Sequence, residues 1–560
     1  MKTSRIYPTA IAVIMLALTG CKDFLDTMPH DKPSAKAAWK DLAAATQYAN
    51  SLYTTLDYFG QYGNAGTNIG LTDGLTDVMK FNSMQVLPNA GQPNNLALYN
   101  GVNADNASYQ LGLWTNIYKR IAQVNEFLYT QKEYSALDAA INARLRSEAL
   151  FFRGMLYFEL IKRHKNVILY DEDMAKYQSN SPLSDEDSGW NMVENDLKAA
   201  AANLPWKYNA ADAGRVTKGA AYALLSRAML YAKRWEVAKV AADSVIELGA
   251  AHAGYALIAP VTTAADYRNI FSTTSSESVL WYAYVTATTG PNHSFDFSFA
   301  PKGDDARALG YGSPTQELVE LYEKADGTGR PDWNQWHAAG GSMANPPYSL
   351  LEPRFGATVL YNGASWKGRT IQTYQGGNEG WAPFVLDASF PTGSTCTGYF
   401  ICKLLDPAHN LGDGLKCTQP WIAIRLPEVY LNRAEACDRL NNATQANADV
   451  RAVRARVSLP YTDKSGTALT EAIRTERKIE LAFEGQLYWD MRRWELAHTA
   501  YTGIRVHGFK ITQESGGAFR YEYVDCDLRD RIFDQKLYRI PLPVTELDNN
   551  KAVSQFSEWL

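Results

Sequence analysis

GRVTKGAAYALLSRAMLYAKRWEVAKVAADSV, residues 214–245, holds two consecutive helical patterns. In the first, Tyr222, Leu225, Ser226 and Met229 share one face; in the second, Ala238, Ala242 and Val245 do so. Spacings of three and four place each set on a single helical stripe. Small side chains at Ser226 and Ala238 allow two helices to cross closely, so the stretch predicts a helical hairpin. A second copy lies far downstream, with Tyr430, Ala434, Cys437, Ala446, Val450 and Val453 in the same relative places.

The arrangement is that of a tetratricopeptide repeat. Two further stripes precede it: Trp114, Tyr118, Ile121, Asn125 and Leu128, then Leu145, Ala149, Phe152, Leu156 and Leu160. Together they predict a mainly α fold, a tetratricopeptide-like scaffold assembled from separated parts of the chain. Between the two copies the composition changes. Residues 262–419 are rich in Gly, Pro, Ser, Thr, Asn and aromatics, with short strand-like runs such as Ser278 to Val285 and brief helical order from Pro314 to Lys324. The predicted organisation is a signal peptide at 1–20, a tether at 21–34, helical repeats at 35–261, a loop-rich insertion at 262–419 and a C-terminal region at 420–560 that completes the scaffold.

The N-terminus has its own chemistry. Lys2 and Arg5 precede a short apolar run from Ile11 to Leu18, and Leu18-Thr19-Gly20 leads into Cys21. This is the anatomy of a lipoprotein signal peptide, whose removal leaves Cys21 as a lipid-modified N-terminus. The run is too short to span a bilayer as a permanent helix. A net charge of -5 calls for neither nucleic acid nor anionic lipid as a partner. There is no HExxH pair, GxSxG elbow, Walker A loop or GxGxxG loop, which leaves metalloprotease, esterase and nucleotide-binding readings without support. No cofactor or metal ligand set is indicated, although Asp-rich loops leave a calcium ion open. Cys396, Cys402, Cys417, Cys437 and Cys526 contain no CxxC spacing. One disulfide among the first three, which share a Gly-rich region, is left open.

A later block is dense in charge. Ile479, Phe483, Leu487, Met491 and Trp494 read as one buried helical stripe with Arg477, Glu480 and Glu484 beside it. Charges at that density need internal partners, so an ion-pair network is expected. A catalytic acid and base is the alternative reading of the two glutamates.

From Cys21 to its last residues the chain resembles the SusD/RagB family of envelope lipoproteins. The resemblance rests on Cys21-Lys22-Asp23-Phe24-Leu25-Asp26, on Trp114, Tyr118, Ile121 and Asn125, on Glu148, Ala149 and Arg153, and on Gly214-Arg215 with Lys218-Gly219-Ala220. It continues through Pro314-Thr315, Pro353-Arg354, the block Glu476 to Gly485 with Asp490 to Trp494, and Ile540-Pro541-Leu542-Pro543. Leu487 and Arg451 depart from the family's usual arginine and asparagine. The resemblance implies a non-enzymatic, surface-exposed glycan-binding lipoprotein of the outer membrane. Such a protein sits as a hinged lid on a TonB-dependent transporter and delivers oligosaccharides to it; some relatives serve peptide transporters instead.

A sugar ring offers axial C–H groups to an aromatic face and hydroxyls to polar side chains. The composition, with 33 Tyr and 14 Trp, suits this. Two loop segments combine the needed types, giving candidate ligand residues Asp73, Asp77, Asn82 and Tyr99 in one, and Phe295, Phe297, Tyr311, Trp333 and Trp336 in the other. Trp333 and Trp336 stand among Gly, Pro, Asp and Asn, where no helical stripe demands burial. Peptide binding, a surface glycoside hydrolase and a purely structural scaffold are the competing readings. Affinity for glycan is expected to be micromolar or weaker, since a lid must release its cargo.

Overall fold

The computed structural model describes residues 35–60, 72–82, 98–107, 111–173, 180–286, 288–385 and 390–560; the signal peptide, Cys21 and the tether lie outside them. The main helices are α1 (Leu42–Leu52), α2 (Trp114–Tyr134), α3 (Ala139–His164), α4 (Glu186–Asn203), α5 (Lys218–Tyr231), α6 (Trp235–Asp243), α7 (Leu426–Arg439), α8 (Ala443–Ala455), α9 (Gly466–Glu480) and α10 (Leu487–Arg493). Their starts carry the side chains that satisfy free helix N–H groups. Asp138 accepts from Ala140, Asp185 from Ser188, Thr217 from Ala220 and Asn442 from Gln445. No helix of the described residues is long and apolar enough to cross a membrane.

Each helix from α2 to α6 packs on the next, and α7 packs on both α5 and α6, so the stack runs on across the insertion. The stripes explain it: Leu145, Ala149, Phe152, Leu156 and Leu160 are wholly buried, as are Ser226 and Ala238 at the close crossing. Polar bonds fix the join between the two repeat copies. Asn432 Nδ2 donates to Ser226 Oγ at 3.2 Å, Arg227 Nε to Glu428 Oε1 at 2.6 Å, and Arg433 reaches both Asp243 and Asp449. The fold is mainly α, as the periodicity predicts.

The strands are short and form two-stranded antiparallel sheets. Those of three or more residues are β1 (Met79–Phe81), β2 (Ser278–Tyr282), β3 (Gly312–Pro314), β4 (Val359–Tyr361), β5 (Tyr399–Ile401), β6 (Trp421–Arg425), β7 (His507–Gln513) and β8 (Phe519–Asp525); Ser365–Trp366 and Arg369–Thr370 form a further short pair. Pairing of β2 with β6 leads the chain back into α7 after the insertion. Pairing of β1 with β3 ties an N-terminal segment to it.

Two expectations change. The stripe from Ile479 to Trp494 is not one helix: α9 ends at Glu480 and α10 begins at Leu487, with Phe483 at φ 62° and Gly485 at φ 71° between them. Positive φ at two positions reverses the chain there, which a continuous helix forbids. The five cysteines of the described residues are all free and buried, so the disulfide left open among Cys396, Cys402 and Cys417 is not formed. Cys396 Sγ instead donates to Asn82 Oδ1, and Cys402 lies 3.8 Å from an Arg268 nitrogen.

Candidate functional site

The β1–β3 ladder brings the two predicted segments to one junction, with Met79 opposite Pro314 and Phe81 opposite Gly312. The ladder is extended by Asn82, whose N–H donates to Tyr311 O at 3.0 Å. A second set of backbone bonds holds the adjoining turn: Leu309 N–H to Phe297 O and Tyr311 N–H to Ser298 O, both 2.9 Å. Phe297 and Tyr311 are thereby held at the two ends of one turn and both remain half-buried. In the turn between them Asp305 and Arg307 form a bidentate pair at 2.8 and 2.9 Å, and Arg307 remains about half exposed. Nothing in the sequence singled out this pair; its signal is a polar Gly303-Asp304-Asp305 turn set between aromatic runs.

The other predicted residues have different surroundings. Asp73 is fully buried and accepts N–H bonds from Phe483 and Gly485 at 3.3 and 3.1 Å, so it pins the break between α9 and α10 rather than facing solvent. Asn82 is buried, donating to Gly310 O and Ser313 Oγ, both at 2.7 Å. Asp77 is partly exposed but pairs with Lys478 at 3.1 Å. Tyr99 is half-buried with the Arg529 guanidinium 4.2 Å over its ring, and burial followed by the nearby Asp527 charge pushes its hydroxyl up to about 12. Phe295 is buried and stacks on Phe299.

Trp333 and Trp336 are buried as well, 5% and 4% exposed, in contrast to the reading of them as open loop rings. They lie 5.5 Å apart beside Tyr348, and Trp336 Nε1 donates to Ala344 O at 2.9 Å. The physical reason is that this loop has its own apolar underside, which two indoles fill. Of the aromatic candidates, Phe297, Tyr311 and Tyr99 are partly exposed, and the Arg529 guanidinium lies over the Tyr99 ring.

A second aromatic group lies on the β7–β8 hairpin, which sequence reasoning did not flag. Tyr523 is sandwiched between His337 and His507, ring centres 4.2 and 4.4 Å away. Both imidazoles are anchored by carboxylates, His337 to Glu320 and His507 to Glu317, each at 2.6 Å. With both faces covered, this phenol cannot serve as a sugar platform.

Asp73 also gives a pH signature. Burial raises its carboxyl to about 6, against the lowering effect of its backbone N–H bonds. A raised acid pKa means the folded state holds the proton more tightly, so the contribution is complete below about 3.8 and is lost as pH rises through about 6. Asp73→Asn, permanently neutral, is expected to match wild type near pH 4 and to exceed it at pH 7 by up to about 3 kcal/mol, read from urea midpoints at the two pH values.

The glutamates of the charged block are not poised for catalysis. Glu480 is fully buried; its carboxylate accepts from Arg425 at 2.9 Å, from Arg354, Arg456 and the Tyr267 hydroxyl each at 3.0 Å. Burial alone would raise its pKa, but Arg456, Arg425 and Arg354 outweigh that and hold it well below the usual carboxylate range. Glu484 is likewise held down, against burial, by Arg425 and Lys403. Lys403 Nζ sits 2.8 Å from Glu484. The expected ion-pair network is present, with Glu480 sealed inside it and Glu484 at its partly exposed edge, held as a paired anion.

A cavity of about 540 Å³ lies elsewhere, on the helical scaffold, lined by Lys162, Trp190, Tyr231, Trp489, Arg492 and Tyr538 among others. None of the nine predicted residues borders it. Its lining combines four aromatic side chains with charged groups, but they are carried on the scaffold rather than on the loop-rich insertion.

The family model described as the SusD family matches residues 272–559, and a SusD-like model described as starch-binding, associating with outer membrane, matches residues 23–230. A SusD-like protein P25 from Formosa agariphila is 21% identical over 511 residues, 86% of this chain and 88% of the relative. A SusD-like protein from Bacteroides fragilis superimposes with a TM-score of 0.78 at 27% identity, over 94% of this chain and 98% of that one. A SusD-like carbohydrate-binding protein from the same species superimposes at 0.74 with 23% identity, over 92% and 100%. With a match over more than half its length and the same helical scaffold, this chain belongs to the SusD family, and the model that matches its N-terminal part ties it to the outer membrane.

Proposed function

We propose that this protein is a cell-surface lipoprotein that captures oligosaccharides and passes them to a TonB-dependent outer-membrane transporter without cutting them. The observation that carries the reading is the β1–β3 junction. There a half-buried Phe297 and Tyr311 bound a turn that carries a bidentate Asp305–Arg307 pair, within a chain of a glycan-binding family. Rings supply stacking area, and the carboxylate and guanidinium edges suit hydroxyl groups. Locking of the buried Glu480 and the partly exposed Glu484 as ion-paired anions supports a binder over a hydrolase. Cys21, with its preceding signal, supports attachment by lipid.

Affinity electrophoresis against a panel of polysaccharides tests the reading. Retardation by at least one glycan is expected, with no new reducing ends after incubation; absence of retardation by all of them would favour a scaffold, and new reducing ends a hydrolase. The anchor is tested separately, since Cys21→Ser should move the protein from the membrane fraction to the soluble one.

A further inference from the structure

Three residues from distant parts of the insertion meet. Asp296 lies on the short helix Phe295–Phe299, while His409 and Cys417 lie on the loop between β5 and β6. One ligand atom from each falls within 4.8 Å of the others. Asp296 and Cys417 are buried, and His409 is half-buried with its side chain 13% exposed, which leaves a route in.

The hydrogen bonds around the three are those of a ligand set with its outer support in place. His409 Nδ1 is 2.9 Å from Asp296 Oδ2, and Nε2 is 2.9 Å from Gly414 O. Both ring nitrogens thus face acceptors, and each directs an N–H toward one of them. Gln419 N–H donates to Cys417 Sγ at 3.4 Å, and the Asp406 carboxylate lies 3.7 Å from that sulfur. A tetrahedral ion holds oxygen, nitrogen and sulfur ligands about 2.0–2.3 Å away and so about 3.3–3.8 Å from one another. Small side-chain shifts would bring the three atoms to that spacing.

We infer that Asp296, His409 and Cys417 form a binding site for a zinc-class divalent ion. Thiolate and imidazole select such an ion over calcium or magnesium, which take oxygen ligands. On binding, the ion displaces one proton from the Cys417 thiol and one from His409 Nδ1, both released to solvent. The dication is then neutralised by the Asp296 carboxylate and the Cys417 thiolate. Gly414 O keeps Nε2–H and orients the ring, the usual work of an outer-shell partner. The ion would clip the 404–417 loop onto the helix that carries Phe297.

Equilibrium dialysis of the chelator-treated protein against zinc, with metal counted per chain, tests this, and cobalt serves as a spectroscopic probe. One zinc per chain is expected, unaffected by excess calcium, and cobalt should give a thiolate charge-transfer band. Cys417→Ser and His409→Gln should each weaken zinc binding by about a hundredfold or more, judged against the 10–100-fold typical of outer-shell changes. Cys402→Ser, which alters a buried thiol outside the site, should leave it unchanged. Failure of folded wild type to retain zinc, or equal retention by both ligand variants, would overturn the assignment. The readout is independent of glycan binding.

Discussion

Replacing Glu480 with alanine is expected to lower stability by about 3–5 kcal/mol, the range seen when one member of a buried ion cluster is removed. The loss exceeds that of a single hydrogen bond because Arg354, Arg425 and Arg456 each lose a carboxylate partner at once in a dry interior, although Glu352 and Glu476, Glu277 and Glu484, and Glu277 respectively stay beside them. Urea denaturation followed by circular dichroism measures it. Glu480→Gln separates charge from shape, since it keeps the volume and one acceptor. The pH dependence has a definite sign. A folded pKa held below the ordinary value of 4.5 contributes stability that is present above 4.5 and is lost as pH falls further toward the folded pKa. Wild type should therefore lose stability below about pH 4.5 more steeply than Glu480→Gln. A Glu480→Ala protein as stable as wild type at pH 7 would mean that the cluster is solvated and that its charges are not interdependent.

The scaffold was readable in the sequence because helical burial leaves a local record. Each repeat writes its stripe at spacings of three and four, and Ser226 and Ala238 stand where two backbones must approach, so the contacts of α5 and α6 follow from a few residues. The break at Phe483 left a fainter trace. The apolar spacing persists through it, and only Gly485 marks a reversal whose support, Asp73, comes from the far end of the chain. The same distance effect governs the site. Strand pairing between β1 and β3 could not be read from either segment alone, yet it decides that Asn82 turns inward to Gly310 and Ser313. Composition identified loops rich in rings and amides; it carried no information on which ring each loop uses to fill its own underside. Trp333 and Trp336 show the cost of that gap. A large indole in a polar loop can serve as its core, because a loop of that length must bury something to hold one shape.

Burial makes the two tryptophans and the two half-exposed rings experimentally separable. Trp336→Ala and Trp333→Ala are each expected to cost about 3–5 kcal/mol in urea denaturation, since they leave cavities under the 333–348 turn. Trp336→Phe should lose the hydrogen bond to Ala344 as well. Trp333→Phe should cost less, because the Trp333 indole N–H finds no acceptor among the described residues and its removal takes away a buried unpaired donor. Phe297→Ala and Tyr311→Ala, by contrast, remove rings that are only partly buried and should lower stability by less, about 1–2 kcal/mol. Their expected effect is on ligand: a loss of about tenfold or more in glycan affinity for each, the scale of a truncated contact anchor. Affinity electrophoresis of the four alanine variants, beside their denaturation curves, reads both quantities. If the tryptophan variants stay fully stable yet lose glycan, those indoles reach the ligand after all. The half-exposed turn would then be only their support.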